Sequence, residues 1–276
     1  IAADKLRIGT EGAYPPFNLI DASGQVVGFD LDIAHALCAK MEVECEVVTS
    51  DWDGIIPALN AGKFDFLAAS MSVTEERKQA VDFTDHYYTN KLQFVAPKSV
   101  DFKTDESYLE GKTIGAQRAT IAGTWLEDNM DDVVDIKLYD TQENAYLDLA
   151  SGRVDGILAD SFVQWEWLKS DAGKDFEFKG EPVFDNDKIA IAVRKGNDEL
   201  REKLNKDMAR YTIIGACNPS LASRAVDEVP EIGVLLDHPQ LAAAAMLAVA
   251  LDAQRAPVLP VEFKGFLQTA QRPLRV

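Results

Sequence analysis

Short apolar runs alternate along the chain with longer segments in which apolar residues recur at helical spacing. The runs are bounded by Gly, Asp and Asn, and their alternation with helices indicates a mainly parallel sheet flanked by helices. The predicted strands are 6–9, 44–49, 64–69, 91–96, 112–116, 135–139, 155–159 and 188–193. The predicted helices are 30–41, 52–60, 120–129, 144–150 and 198–210. The Pro-, Gly- and Asn-rich segment 10–24 is predicted to be a loop.

One short pattern occurs twice, in segments 59–68 and 149–159. Each copy has the features of a helix end, a glycine that stops the helix, a basic residue and a buried strand. Polar residues follow both strands: Ser70, Ser72 and Asp160. A chain that builds one αβ unit twice is predicted to form two similar lobes that face a shared ligand-binding cleft.

The chain is predicted to cross between the lobes twice, near Asn90 and near Asp187. Residues 1–90 and 187–276 would then form lobe one, and residues 91–186 would form lobe two. The predicted fold class is therefore α/β, with two lobes that each hold a mainly parallel sheet flanked by helices, joined by a two-strand hinge.

Charge narrows the range of partners. The 276 residues are 47% apolar and 27% charged, which is ordinary for a globular protein of two modest domains. The 28 basic and 46 acidic residues give a net charge of −18, which repels nucleic acid and anionic membranes but suits a small cationic or zwitterionic ligand.

No segment of the sequence approaches the roughly 20 apolar residues that span a bilayer. The N-terminus does not resemble an export signal, so we expect any such signal to be absent from the mature form.

The three cysteines, Cys38, Cys45 and Cys217, bear on whether the protein works in an oxidising cellular compartment. Cys38 falls in the last turns of a predicted helix and Cys45 in the next strand, a spacing that can bring two Cα atoms within bridging distance. A disulfide would imply an oxidising compartment, and two buried thiols are the alternative. A metal site is not predicted, because no His or Cys lies nearby at ligand spacing. Cys217 is left without a partner.

Candidate binding residues follow the predicted strands, where ligands bind in open α/β sheets. The Arg77 guanidinium could hold an α-carboxylate, with help from the hydroxyls of Ser72 and Thr120 and from N–H groups near Ile121 at a helix start. Taken singly, each has an ordinary structural explanation, because Ser and Thr often cap helices and Arg77 lies in a plausible capping box. Their joint placement at one sheet edge favours a binding site.

The remaining candidates match the other groups of a cationic amino acid, its α-ammonium and its side chain. Asp160 and the Ser70 hydroxyl could accept hydrogen bonds from an ammonium group, although Asp160 could instead cap a helix. Tyr14 and Trp52 offer flat apolar faces, and Glu11 offers a carboxylate on the loop that carries Tyr14; Trp52 could alternatively be a core residue. Two aromatic faces and a terminal acid suit a long side chain that ends in a guanidinium or ammonium group. Arginine is favoured because a planar guanidinium stacks better than a compact ammonium.

Four segments together resemble the periplasmic solute-binding proteins of polar amino-acid ABC transporters, in the arginine/ornithine, lysine/arginine/ornithine and opine-binding branch. These segments are 10–18, 28–32, 70–74 with Arg77, and 159–160, and the resemblance extends from Lys5 to about Lys206. It implies a periplasmic-binding-protein-like fold that closes by a hinge, a cationic L-amino acid held between the lobes, and delivery to a membrane ABC permease. Relatives with a Cys pair at the positions of Cys38 and Cys45 have it bridged, so the resemblance implies a periplasmic location.

By position, the resemblance supports the roles given above to the nine candidate residues. It adds Gln117, which lies where a side-chain contact is expected and where some relatives have an apolar residue. Ala69 stands where some have Ser, and Arg118 and Ala119 replace a common Gly. After about residue 206 the tail departs from the family, and a fusion, a frame error and an engineered chimera each remain open. Segment 241–253 is predicted to be a helix.

The sequence predicts a monomeric binding protein without catalysis, cofactor or metal, in which ligand binding shifts a hinge equilibrium toward closure. Arginine is the first expected ligand and ornithine or lysine the next, with a histidine- or opine-binding protein as alternatives. An enzyme of the same fold, such as a cyclohexadienyl-type dehydratase with Glu11 as its acid, is another alternative, but no second acid or base is evident. His35, His86 and His238 fall away from the predicted cleft loops. A sensor domain is disfavoured by the lack of a membrane segment.

Overall fold

A computed structural model describes residues 5–208 of the chain. The strands are β1 (Leu6–Thr10), β2 (Ala13–Tyr14), β3 (Asn18–Ile20), β4 (Val26–Val27), β5 (Cys45–Thr49), β6 (Phe66–Leu67), β7 (Val81–Pro97), β8 (Thr113–Gln117), β9 (Asp135–Tyr139), β10 (Gly156–Asp160) and β11 (Phe176–Arg194). The helices are α1 (Phe29–Lys40), α2 (Ile55–Asn60), α3 (Arg77–Ala80), α4 (Glu106–Leu109), α5 (Ile121–Met130), α6 (Gln142–Ala150), α7 (Ser161–Leu168) and α8 (Asp198–Met208), and a 3-10 turn spans Trp52–Gly54.

Eight of these strands form one sheet in the order β5-β1-β6-β11-β7-β10-β8-β9. The outer strands pair in parallel, β1 with β5 and β6 in one half, and β8 with β9 and β10 in the other. The two central strands, β7 and β11, run antiparallel to each other and to their neighbours. Each half is therefore mainly parallel, and the strand ends that carry loops and helix starts converge near the middle of the sheet.

The central strands are much longer than the sequence pattern predicts. β7 has 17 residues and β11 has 19, so the predicted strands 91–96 and 188–193 were too short. The parts of β7 and β11 that lie outside these predicted segments carry polar and charged residues, which interrupt the apolar pattern. These outer parts still pair with each other. Asn90 pairs with Asp187, the two residues at which the chain was predicted to cross, and the register shifts on either side of Asp187.

The two copies of the αβ pattern fold alike. α2 and α6 are each followed by a glycine with positive φ, 77° at Gly62 and 72° at Gly152. In both copies the glycine N–H donates to the carbonyl three residues earlier at 3.0 Å, to Leu59 and to Leu149. Glycine suits this left-handed turn because it has no Cβ to clash with the backbone. The turns then lead into the buried strands β6 and β10, whose carboxyl ends carry the polar residues of interest.

The segment 10–24 is not a loop throughout. It contains β2 and β3, which form a small antiparallel sheet with β4. Strands of two or three residues are too short to give a detectable alternation of apolar and polar positions. The Gly12 N–H donates to the Asn18 side-chain oxygen at 2.8 Å, and this buried bond fixes the hairpin that carries Tyr14.

Apolar clusters fill both halves of the sheet. One lies in the first half, between α2 and the sheet, and includes Ile55, Leu59, Phe64, Leu67 and Met71. Two lie in the second half, one around Phe94, Leu126 and Leu158 and the other around Tyr146, Ile157 and Trp167. Burial of this apolar surface is the main favourable term in folding, and it fixes the strands whose ends form the candidate site.

A disulfide joins Cys38 in α1 to Cys45 at the start of β5, with Cα atoms 6.2 Å apart. The bridge pins the end of a helix to the edge strand of the sheet. Of the two alternatives that the sequence left open, the disulfide is therefore present and the pair of buried thiols is not.

We expect a Cys38→Ala/Cys45→Ala double variant to lose about 2 kcal/mol of unfolding free energy, because the bridge closes only a short loop and short loops lose little entropy. For a domain of this size the melting temperature should fall by about 4–8 °C. Thermal unfolding with and without reductant measures this. Reductant should lower the melting temperature of the wild type but not that of the double variant, and equal melting temperatures throughout would contradict a stabilising bridge.

Several predictions lie outside the described residues: Cys217, His238, helix 241–253, the last two residues of helix 198–210, and the part of lobe one beyond residue 208. Within residues 5–208, none of the helices combines the length and apolar character needed to cross a membrane. Over the same residues, no group of three or more His, Cys, Asp or Glu side chains is placed to hold a metal ion.

Candidate functional site: a polar cavity between two lobes

The ten residues predicted to contact a ligand all line one small cavity. They are Glu11, Tyr14, Trp52, Ser70, Ser72, Arg77, Gln117, Thr120, Ile121 and Asp160, and Ala69 also lines it. The cavity has a volume of about 20 Å³, which leaves room for roughly one water molecule. The fold thus brings together residues from both halves of the sheet, while their individual roles in binding stay predictions.

Arg77 lies where the two halves meet. Its Nη1 donates to the Ser72 carbonyl oxygen and its Nη2 to the Ala119 carbonyl oxygen, both at 2.8 Å. Thr74 Oγ1 accepts a hydrogen bond from the Arg77 N–H at 3.1 Å, as in the capping box suggested by the sequence, but α3 begins at Arg77 and its N-cap residue, Glu76, makes no side-chain capping bond. Burial lowers the pKa of Arg77, but a guanidinium stays protonated in proteins. The cavity therefore has a fixed positive charge.

The start of α5 forms a wall of the cavity next to Arg77, whose Nη2 reaches the Ala119 carbonyl oxygen. Thr120 is the N-cap residue of this helix, and its Oγ1 accepts from the Gly123 N–H at 3.2 Å and donates to the Gln117 carbonyl at 2.8 Å. Ile121 is the first residue of the helix and lines the cavity. N–H groups in the first turn have no partner inside the helix and favour a negative charge. Together with Arg77, this helix start suits an anionic group.

Asp160 ends β10 and is only 7% exposed. Its Oδ2 accepts a hydrogen bond from the Tyr14 hydroxyl at 2.7 Å, across the cavity. Burial raises the pKa of Asp160 to about 7 and the charge of Asp187 adds to this, whereas the Tyr14 hydrogen bond and the charge of Arg77 lower it. Asp160 is the N-cap residue of α7 by position, as the helix-cap alternative held, but its side chain makes no capping hydrogen bond. A buried carboxylate of this kind is stabilised by a cation.

Glu11 and Gln117 meet across the cavity. Gln117 Nε2 donates to Glu11 Oε1 at 2.6 Å and to the Asp140 carbonyl oxygen at 3.2 Å. Burial raises the pKa of Glu11 to about 7, the charge of Asp51 adds to this, and the Gln117 hydrogen bond opposes it. The pair places a carboxylate from one half next to an amide from the other, which together offer acceptor oxygens to a cationic group.

Trp52 forms an aromatic wall of the cavity. It is buried in the 3-10 turn, and its Nε1 donates to the Ala119 carbonyl oxygen at 3.1 Å. The Arg77 guanidinium carbon lies 5.4 Å from the centre of the Trp52 ring. Tyr14 also lines the cavity. Both rings are therefore available to a ligand side chain. Trp52 also belongs to the apolar cluster of the first half, in agreement with the alternative interpretation that it is a core residue.

Two buried carboxylates that support the cavity were missed from the sequence. Asp30, in the first turn of α1, accepts hydrogen bonds from Asn18 Nδ2 at 2.9 Å, from Ser70 Oγ at 2.8 Å and from the Tyr87 hydroxyl. Asp187 on β11 is 2% exposed and accepts from Ser72 Oγ at 3.0 Å. Asp30 could have been found, because it lies in the Gly-Phe-Asp-Leu-Asp segment that carried the family resemblance. Nothing in the local pattern around Asp187 indicated that it is buried.

Four side-chain hydrogen bonds join the two halves across the cavity. They are Tyr14 to Asp160, Gln117 to Glu11, Trp52 to the Ala119 carbonyl, and Arg77 to the same carbonyl. The groups that would contact a ligand therefore contact each other, and the cavity is smaller than an amino acid.

The fold and the cavity define a class: a two-lobed α/β protein with a polar cavity between its lobes, of the kind that binds a small solute. The chain belongs to the bacterial extracellular solute-binding proteins, family 3, whose family model matches residues 6–215. The predicted two-lobed fold is thereby confirmed. So is the prediction of a binding protein rather than an enzyme.

Similar proteins share most of their length with this chain. An L-arginine-binding protein of Pseudomonas aeruginosa is 41% identical over 211 residues, which cover 74% of this chain and 82% of that protein. The lysine/arginine/ornithine-binding periplasmic protein of Escherichia coli is 37% identical over 213 residues, covering 74% and 80%. Among solved structures, an ancestral arginine-binding protein bound to arginine is 38% identical with a TM-score of 0.71, covering 76% of this chain and 92% of that one.

Proposed function

We propose that this chain binds a cationic amino acid between its lobes, arginine first and ornithine or lysine next, for delivery to an ABC importer in the membrane. The observation that carries this proposal is the set of charges around one cavity: the guanidinium of Arg77 and the carboxylates of Asp160 and Glu11. A cationic amino acid carries one carboxylate and two cationic groups, so its charges complement those of the cavity one for one.

Each ligand group has a partner in this proposal. The α-carboxylate binds Arg77, the Ser72 hydroxyl and the start of α5, since a guanidinium fork and first-turn N–H groups both favour an anion. The α-ammonium replaces the Tyr14 hydroxyl on Asp160 and is within reach of Ser70. The side chain lies between Tyr14 and Trp52 and ends at Glu11 and Gln117. The names of the arginine-binding and lysine/arginine/ornithine-binding relatives support this ligand class.

Binding is coupled to lobe closure in this proposal, because the ligand contacts both lobes only when they are closed. Within the described residues, we propose lobe one as 5–90 with 187–208 and lobe two as 91–186, and the pairing of Asn90 with Asp187 in the long strands supports a hinge at these positions. The periplasmic relative and the Cys38–Cys45 disulfide support a location in the periplasm. We further propose that it acts as a monomer and does not bind nucleic acid.

Calorimetric titration tests the ligand class. The protein is unfolded and refolded to remove carried-over ligand, then titrated with arginine, ornithine, lysine, histidine, glutamine and an opine. Micromolar or tighter binding of arginine or ornithine, with none for glutamine, is expected. Preference for glutamine, or no binding of any of the six, would contradict the proposal.

We expect Glu11→Gln to weaken arginine binding about 10- to 100-fold and to leave histidine binding within about threefold, because it removes only the charge that meets the distal cation. Glu11 has a pKa of about 7 and must be ionised to hold a cation. The wild type should therefore bind arginine more weakly as the pH falls below 7, and the variant should lose part of this dependence.

Glu46→Gln is the matched control for this variant, because Glu46 is exposed on β5 and pairs only with Lys5 among the ion pairs of the described residues. It removes the same charge from the same lobe without touching the cavity. If Glu46→Gln and Glu11→Gln changed arginine affinity equally, the effect would come from net charge, and the role of Glu11 in specificity would be rejected.

A further inference from the structure

Asp187 is a buried acid that no part of the proposed ligand set uses. It lies on the long strand β11, paired with Asn90 of β7, and only 2% of its surface is exposed. Its Oδ2 accepts a hydrogen bond from the Ser72 hydroxyl at 3.0 Å. Ser72 is itself tied to this strand through its backbone, because it forms an isolated bridge with Ile189. Asp187 therefore lies behind Ser72, which lines the small cavity, and does not line that cavity itself.

The charged groups that act on Asp187 are Arg77 on α3 and Asp160 on β10. Arg77 on α3 and Asp187 line the same groove of about 650 Å³, which lies between the lobes and borders the small cavity. The charges of Asp187 and Asp160 both act on Arg77. Asp160 on β10 repels Asp187 and is itself bonded to Tyr14 on β2. The charges of two carboxylates therefore act on one guanidinium.

Binding of a ligand α-carboxylate would disturb the interactions of Asp187 with Ser72 and Arg77. The two donors proposed to hold the ligand carboxylate, Ser72 and Arg77, are two of the three groups that favour the charged form of Asp187, and the third is the Asn90 side chain. A third carboxylate placed on them would lie close to Asp187, and like charges in a buried site repel strongly.

We propose that Asp187 is an internal competitor of the ligand α-carboxylate, a positioning residue that holds the Ser72 hydroxyl and compensates Arg77 until ligand takes both. This inference rests on the proposed amino-acid function and adds a residue on the hinge strand to it. Asp187 keeps Ser72 and Arg77 in place while the site is unliganded, at the expense of affinity. Because Asp187 sits on β11, the exchange also links ligand binding to the strand that joins the lobes.

Asp187→Asn tests the inference, because asparagine keeps an acceptor for Ser72 and removes the charge. At about pH 8 we expect the variant to bind arginine about five- to tenfold more tightly than the wild type. Burial raises the pKa of Asp187 to about 6, and the Ser72 hydrogen bond and the charge of Arg77 oppose this. Near pH 5 the carboxyl of the wild type is mostly protonated, so the two proteins should then bind equally.

Asp185→Asn is the control, since Asp185 is exposed on the same strand and its removal changes net charge by the same amount. It should leave arginine affinity unchanged at both pH values. Asp187→Ser provides a second uncharged variant should the asparagine variant fold poorly, and it should shift affinity in the same direction. Circular dichroism and thermal melting show whether each variant is folded.

The outcomes separate the two proposals. Arginine binding by the wild type with tighter binding by Asp187→Asn only at the higher pH supports the inference. Arginine binding by the wild type with equal or weaker binding by folded Asp187 variants at about pH 8 overturns the inference and leaves the proposed function standing. If the wild type binds none of the amino acids, the proposed function fails, and the competitor role fails with it because no α-carboxylate enters the site.

Discussion

Arg77→Ala is expected to abolish binding of every amino acid, with a loss of about a thousandfold or more. The guanidinium is the only cationic group that lines the small cavity in the described chain, and removing one partner of a buried charge pair costs about 3–5 kcal/mol. The variant also loses the hydrogen bond to the Ala119 carbonyl, which joins the lobes. Titration with arginine and with histidine measures the effect, and both ligands should lose affinity alike because both carry the α-carboxylate.

Two further variants make the Arg77 prediction specific. Arg77→Lys keeps the charge but loses the planar fork, so we expect it to recover only a small part of the affinity. Lys78→Ala removes the neighbouring exposed cation, which pairs with Glu75 at 2.7 Å, and should leave affinity unchanged. Binding of arginine by folded Arg77→Ala at wild-type affinity would exclude Arg77 as the carboxylate partner.

The site could be predicted from the sequence because its residues follow a rule of position. Ser70, Ser72 and Asp160 all stand at or just after the carboxyl ends of strands, and parallel strands bring those ends to one edge, whereas Gln117 was added by the family resemblance. Once the strands are recognised from their apolar runs, the side chains that follow them must converge. The same runs gave the strand 135–139 with its observed bounds and the helix 30–41 to within one residue at each end.

What the sequence could not show depends on pairing between distant segments. The outer parts of β7 and β11 are polar and stay extended because each supplies the other with backbone partners, as Asn90 does for Asp187. No local pattern carries that information. Asp30 is similar: its burial is possible because Asn18, Ser70 and Tyr87, which lie far from it in the sequence, all donate hydrogen bonds to it.

Asp160→Asn is the second variant with a large expected effect, a loss of about a hundredfold in affinity for any α-amino acid. Asparagine fits the same space, but it presents an uncharged oxygen and an N–H₂ group to the ligand ammonium. The wild-type carboxyl has a pKa of about 7, and a bound cation favours its ionised form. Binding should therefore release a proton near neutral pH, and this release should be smaller in the variant.

A ligand without its amino group separates a direct contact from a structural effect of Asp160→Asn. Desamino-arginine, in which hydrogen replaces the α-ammonium, should bind the wild type about a hundredfold more weakly than arginine and should bind the variant with nearly the same affinity as the wild type. Tyr14→Phe keeps the aromatic wall and removes only the hydroxyl that occupies Asp160 Oδ2. It should change arginine affinity by less than about fivefold, because the ammonium replaces that hydroxyl in the bound state. An equal loss of arginine and desamino-arginine binding in Asp160→Asn would mean that Asp160 supports the fold of the cavity and does not contact the ammonium.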